Sequence, residues 1–137
     1  MVSLALLLAL QPANAATYTV SGNAGSLQQA IDRVTADGDI VEVDGFFPGQ
    51  GSVTFSSNIA FTVRGTVTGA GWGNGTTLTI TGATAKTIVI EDVVLDGNAG
   101  PSLDVTGPRL TLNNIDVRNH DEIGVKYLGD PNDTLIV

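Results

Sequence analysis

"TIVIEDVVLDGN", residues 87–98, and "RLTLNNIDVRNH", residues 109–120, align without a gap. The offset, from Thr87 to Arg109, is 22 residues, and it sets Ile88 on Leu110, Ile90 on Leu112, Val93 on Ile115 and Leu95 on Val117. The match continues downstream, with Leu103 on Val125, Val105 on Tyr127 and Gly107 on Gly129. Apolar residues meeting apolar residues at one fixed offset are the mark of a structural repeat. Within each copy they alternate with polar ones, the period of a strand. Other short runs, VTF (53–55), IAFTV (59–63), LTI (78–80), LDV (103–105) and LIV (135–137), are broken by Gly, Asn, Asp and Pro, as strand-and-turn chains are. LTITG (78–82) fits LDVTG (103–107) only at 25 residues, and LTL (110–112) fits LIV at the same 25, so the repeat is irregular.

Three short strands per repeat of about 22 residues is the arithmetic of an all-β parallel solenoid, in which each coil pairs with those above and below at about 4.8 Å. The outward positions agree. At the 22-residue offset Asp96 meets Arg118 and Asp104 meets Lys126, so opposite charges sit one rung apart. A slip of one residue would lose both pairs and turn polar side chains inward. An antiparallel β-sandwich also has short strands and Gly-rich turns, but it does not predict a gapless recurrence.

Upstream stands "GSLQQAIDRVTADGDIVEVDG", residues 25–45. Leu27, Ala30, Ile31 and Val34 recur at helical spacing, Ser26 and Gln29 form a capping box, and Asp37-Gly38 supplies the stop. From Asp39 the period changes to that of a strand. A solenoid end exposes an apolar cross-section and unpaired edges, so this amphipathic helix is read as its N-terminal lid. The expected organisation is a signal peptide over residues 1–15, an N-terminal strand and capping helix over 16–38, and β-solenoid coils over 39–137. That last span holds about four coils and stops within a β run at Leu135-Ile136-Val137, the pattern expected of a truncated solenoid with an end open to end-to-end association.

The export reading rests on the uncharged run from Leu4 to Leu10, followed by Gln11, Pro12 and the small-x-small signature Ala13-Asn14-Ala15. The run is too short to span a bilayer, so no transmembrane segment is expected and the mature chain would be secreted or at the cell surface. The 14 acidic against 6 basic residues give a net charge of −8, which argues against nucleic acid and anionic lipid as partners. With no cysteine, neither disulfides nor thiolate chemistry is open to the chain.

The stretches "GSLQQAIDRVTADGDIVEVDG", "TVTGAGWGNGTTLTITG" (66–82), "IVIEDVVLDG" (88–97) and "LTLNNIDVRN" (110–119) together resemble the N-terminal part of right-handed parallel β-helix proteins of the pectin-lyase-like superfamily, over about residues 17–137. The likeness is greatest to exported bacterial surface proteins of that group. It implies a right-handed coil and a helix that caps it. It also implies two functional expectations: a non-catalytic, adhesin-like surface protein offering a face to carbohydrate or another partner, or the N-terminal part of a polysaccharide lyase or glycoside hydrolase.

Neither enzyme class is visible in the residues. The repeat sets Asp92 over Asn114 and pairs Asp96 and Asp104 with cations, leaving Asp116 without the clustered carboxylates that glycoside cleavage uses. In "RNHDEIG" (118–124) the single histidine, His120, stands beside Asp121 and Glu122, a candidate binding turn whose plain alternative is solvated turn chemistry. "GAGWGNGT" (69–76) fits no phosphate-binding loop; its glycines suit turns and close packing. Its Trp72 is either a packed side chain or an indole able to stack on a sugar ring. No cofactor is expected unless calcium, for which Asp130 and Asp133 in "GDPNDT" (129–134) are the candidates.

Overall fold

The computed structural model describes residues 14–21, 24–48, 51–56, 58–73, 75–97, 100–121 and 123–129, with the backbone alone for 24–26. Residues 1–13 of the expected signal peptide, Glu122, Asp130, Asp133 and the run at 135–137 lie outside them, as does the side chain of Ser26 in the capping box.

Among the described residues thirteen strands and one helix follow one another. Strand β1 (Thr17–Ser21) leads into helix α1 (Ala24–Ile31), and the coils follow. The first holds β2 (Asp39–Asp44), β3 (Phe46–Pro48) and β4 (Ser52–Ser56). The second holds β5 (Phe61–Gly65), β6 (Gly71–Gly73) and β7 (Thr77–Thr81). The third holds β8 (Thr87–Glu91), β9 (Val94–Asp96) and β10 (Leu103–Gly107), and the fourth β11 (Arg109–Asn113), β12 (Asp116–Arg118) and β13 (Val125–Gly129). They stack into three sheets: A, in the order β1-β2-β5-β8-β11; B, β3-β6-β9-β12; and C, β4-β7-β10-β13. Every pairing is parallel. The molecule is a parallel β-solenoid.

The register is the one the repeat predicts. Ile88 pairs with Leu110, Leu95 with Val117, Leu103 with both Leu78 and Val125, and Val105 with both Ile80 and Tyr127. Inward residues form rows along the axis: Val41, Val63, Ile90 and Leu112 in sheet A; Phe47, Trp72 and Leu95 in sheet B; Val53, Leu78 and Leu103 in sheet C; all are buried. Each such side chain contributes about 1.5–3 kcal/mol by leaving water. The charged rungs form too, Arg118 Nε lying 3.0 Å from Asp96 Oδ2 and Lys126 Nζ 3.1 Å from Asp104 Oδ2.

Coil length is less uniform than 22 residues. The last coil is offset by 22 in all three sheets, as in Ile88↔Leu110, Val94↔Asp116 and Leu103↔Val125. Between the second and third coils the offset is 27 in sheet A (Phe61↔Ile88), 23 in sheet B (Gly71↔Val94) and 25 in sheet C (Leu78↔Leu103). Much of the excess sits in the connection from sheet A to sheet B. That connection takes residues 92–93 and 114–115 in the later coils, but 66–70 in the second. The two-residue turns rest on Asp92 and Asn114, both in the left-handed conformation (φ 57° and 48°), which Asp and Asn tolerate through their short polar side chains. Asn114 Nδ2 donates to Asp92 Oδ1 at 2.7 Å, tying one turn to the next.

The helix is the lid. It packs against β1, β2 and β4, with Leu27, Ala30 and Ile31 buried, and Val34 buried just beyond. Strand β4 is the outer edge of sheet C, and Gln28 stands where another strand would: its Oε1 accepts from Thr54 N (2.8 Å) and its Nε2 donates to Thr54 O (2.9 Å). One side-chain amide thereby satisfies both backbone groups of an edge residue. The helix ends at Ile31, before the stop expected at Asp37-Gly38. The chain tightens through Arg33 N→Ala30 O and Val34 N→Ile31 O. The N–H groups of Thr35 and Ala36 then donate to Asp39 Oδ2 rather than to helical carbonyls, and that of Ala16 to Asp39 Oδ1. Asp39 is 1% exposed. Burial raises its pKa, but these three backbone donors outweigh it and hold the carboxyl below the ordinary carboxylate range.

Candidate binding face

Sheet B has the shortest strands and the least regular outer surface. Its outward rows run Phe46, Gly71, Val94, Asp116 and Pro48, Gly73, Asp96, Arg118, either side of the buried row Phe47, Trp72, Leu95. Adjacent strand residues face opposite ways, so of Phe46 and Phe47 one must look outward. Phe47 is 1% exposed and Phe46 is 43% exposed.

Trp72 lies in the inward row. It is fully buried, and its Nε1–H donates to Ser102 O at 3.0 Å. Its indole therefore has no face to offer a sugar, and the packing alternative is the correct one. The sequence signal that would have found the exposed aromatic was the pair Phe46-Phe47. Trp72 falls 25 residues after Phe47, its rung partner, and shares its side of the sheet.

Beside Trp72, Gly71 and Gly73 let strands β6 and β9 come close together. A Cβ on Gly73 would lie 1.8 Å from Asp96 O, and one on Gly71 2.0 Å from Val94 O, so only glycine fits either position. "GWG" is thus a strand rather than a turn. The Phe46 ring leans over Gly73, its Cζ 3.2 Å from where that Cβ would be.

Two depressions flank sheet B. One, about 280 Å³, is lined by Phe46, Pro48, Asp96, Gly97 and Asn119. The other, about 450 Å³, lies at the opposite ends of the same strands, between the long connection at 66–70 and the turns carrying Asp92 and Asn114; Asp116 lines it as well. Arg118 links the two. Its Nε donates to Asp96 Oδ2 (3.0 Å), in the first depression, and its Nη1 to Asp116 Oδ2 (3.2 Å), in the second. Asn119, in the left-handed conformation, donates from Nδ2 to Asp96 Oδ1 at 2.7 Å. This hydrogen bond, with Arg118 beside it, outweighs desolvation and holds the Asp96 carboxyl below the ordinary range. Asp96 is consequently a fixed, ionised acceptor.

His120 is half-buried. Its Nε2 lies 3.1 Å from Leu95 O, and since a carbonyl only accepts, Nε2 carries the proton. Its Nδ1 is buried with no hydrogen-bond partner among the described residues. Asp121 is exposed on the same turn, and the structure brings neither residue to the Phe46 depression. Among the described residues no three His, Asp or Glu side chains converge as a metal site would require, and no helix is long and apolar enough to cross a membrane.

No family model, no curated protein and no solved structure matches the chain.

Proposed function

We propose that the chain is an exported, surface-displayed β-solenoid that binds carbohydrate on the outer face of sheet B, akin to the surface β-helix proteins of the pectin-lyase-like superfamily. The observation that carries this reading is the exposed ring of Phe46 beside the Asp96 carboxylate and the Asn119 amide. An aromatic ring next to hydrogen-bonding groups fixed in place suits a sugar, whose C–H face is apolar and whose edge is hydroxyls. Asp96 keeps lone pairs beyond those taken by Arg118 and Asn119, and Asn119 keeps an amide oxygen and its second amide hydrogen. Binding rather than cleavage is favoured because a general acid needs a raised pKa, whereas Asp96 is pulled down.

A glycan array probed with the purified chain tests the reading. Retention on at least one class of glycan is expected, lost in Phe46→Ala, with the captured glycans intact in length. A silent array, or retention undiminished by Phe46→Ala, contradicts it. Release of shorter products would replace it with the lyase or glycosidase reading.

A further inference from the structure

Resting on that carbohydrate reading, we infer that the ligand is a neutral, unbranched glycan chain lying along the strands of sheet B, across the solenoid axis, with the two depressions as adjoining subsites. Three observations converge on this. The depressions stand at opposite ends of the same three-residue strands, whose outward rows are about 7 Å apart at the usual strand rise, more than one pyranose ring spans. Arg118 holds one carboxylate in each, so acceptors for hydroxyl groups are preset on both sides by a single guanidinium. Between them stand Gly71 and Gly73, which add no side chain of their own, and the Phe46 ring leans over Gly73.

Charge selects the class of sugar. Asp96 and Asp116 both face the path while Arg118, which bridges them, is engaged by both, and Asp92, within the field of Arg64, lines the second depression. On a chain of net charge −8, a uronate carboxylate would meet like charge at each subsite. Hydroxyls donate to the same carboxylates without that penalty.

The wall of the second subsite is the long connection of the second coil, 66–70, where Thr66 and Thr68 add hydroxyls and Val67, 49% exposed, adds an apolar surface. This connection is also where the second coil departs from the 22-residue repeat.

The test is a titration of the full chain, followed by NMR, with glucose, mannose and xylose, their β-linked oligomers of two to six units, and trigalacturonate. Affinity is expected to rise about tenfold from monosaccharide to trisaccharide, the gain a second subsite worth one decade would give. Thr68→Trp, which fills the second depression, should bring the trimers down to the affinity of the monosaccharide, and Asp116→Asn should remove part of the same gain. Trigalacturonate should bind more weakly than every neutral trimer that binds. Affinity independent of length, or tighter binding of trigalacturonate, overturns the inference while leaving a sugar site at Phe46. Absence of binding by every probe, or binding untouched in Phe46→Ala, overturns the carbohydrate reading beneath it.

Discussion

The outer faces of sheets C and B are built on the same solenoid and follow different rules. Along sheet C the outward rows are Thr54, Thr79, Asp104, Lys126 and Ser56, Thr81, Thr106, Leu128: mostly hydroxyls on strands of five residues, one row closed by an ion pair and the other ending in the exposed Leu128. Its outer edge is closed by Gln28, which pairs with the backbone of Thr54. Sheet B turns out a phenylalanine, a proline and two glycines on strands of three residues, and its outer strand β3 ends in Pro48, which has no N–H to offer a further strand. Sequences that specify a fold agree with it at every level, and departures concentrate where something other than folding is being served. Sheet C keeps mainly polar residues on its outer side, and sheet B departs from that pattern.

The comparison is most severely broken at Gly73. Gly73→Ala puts a methyl group 1.8 Å from Asp96 O, against backbone rather than a movable side chain, so β6 and β9 must separate. Loss of about 3 kcal/mol in urea unfolding is expected. Thr79→Ala, on the outer face of sheet C, should cost under about 1 kcal/mol by the same measurement.

Away from sheet B, at the start of β2 in sheet A, Asp39→Asn should cost about 2 kcal/mol, because an amide cannot accept from Thr35, Ala36 and Ala16 as the buried carboxylate does. The pH dependence has a fixed sign. The folded carboxyl lies below its ordinary value of about 3.9, so its contribution is fully present above that pH and is lost as pH falls through the folded value. Unfolding midpoints of the two chains should therefore converge below about pH 4. Gln28→Ala, which uncovers only the edge at Thr54, should cost about 1 kcal/mol and raise hydrogen exchange at the Thr54 amide before any other in β4.

The parts of this structure legible in the sequence are those dictated by periodicity. Ile88 on Leu110 and Asp96 on Arg118 follow from one offset because the last coil has no insertion. The helix was readable from Leu27, Ala30, Ile31 and Val34, but its end was not, since the competing acceptor for Thr35 and Ala36 is a carboxylate that also ties down Ala16, 23 residues away. Strand β6 was hidden because glycines lower strand propensity, and the reason for them is the approach of β9, a long-range contact. Which aromatic of sheet B is exposed follows from alternation and not from ring size: Trp72 shares the buried row of its rung partner Phe47, and Phe46, one residue away, looks outward.

That alternation is also where the account is most directly tested. Phe46→Ala and Phe47→Ala remove the same atoms from neighbouring residues, and both chains can be compared by thermal unfolding and by binding to the glycan that the parent chain retains. Phe47→Ala should lose about 3–5 kcal/mol of stability, while Phe46→Ala should stay within about 0.5 kcal/mol of the parent and lose binding. Equal destabilisation by the two substitutions, or binding that survives Phe46→Ala in a folded chain, would contradict a solenoid whose outward Phe46 is its contact with carbohydrate.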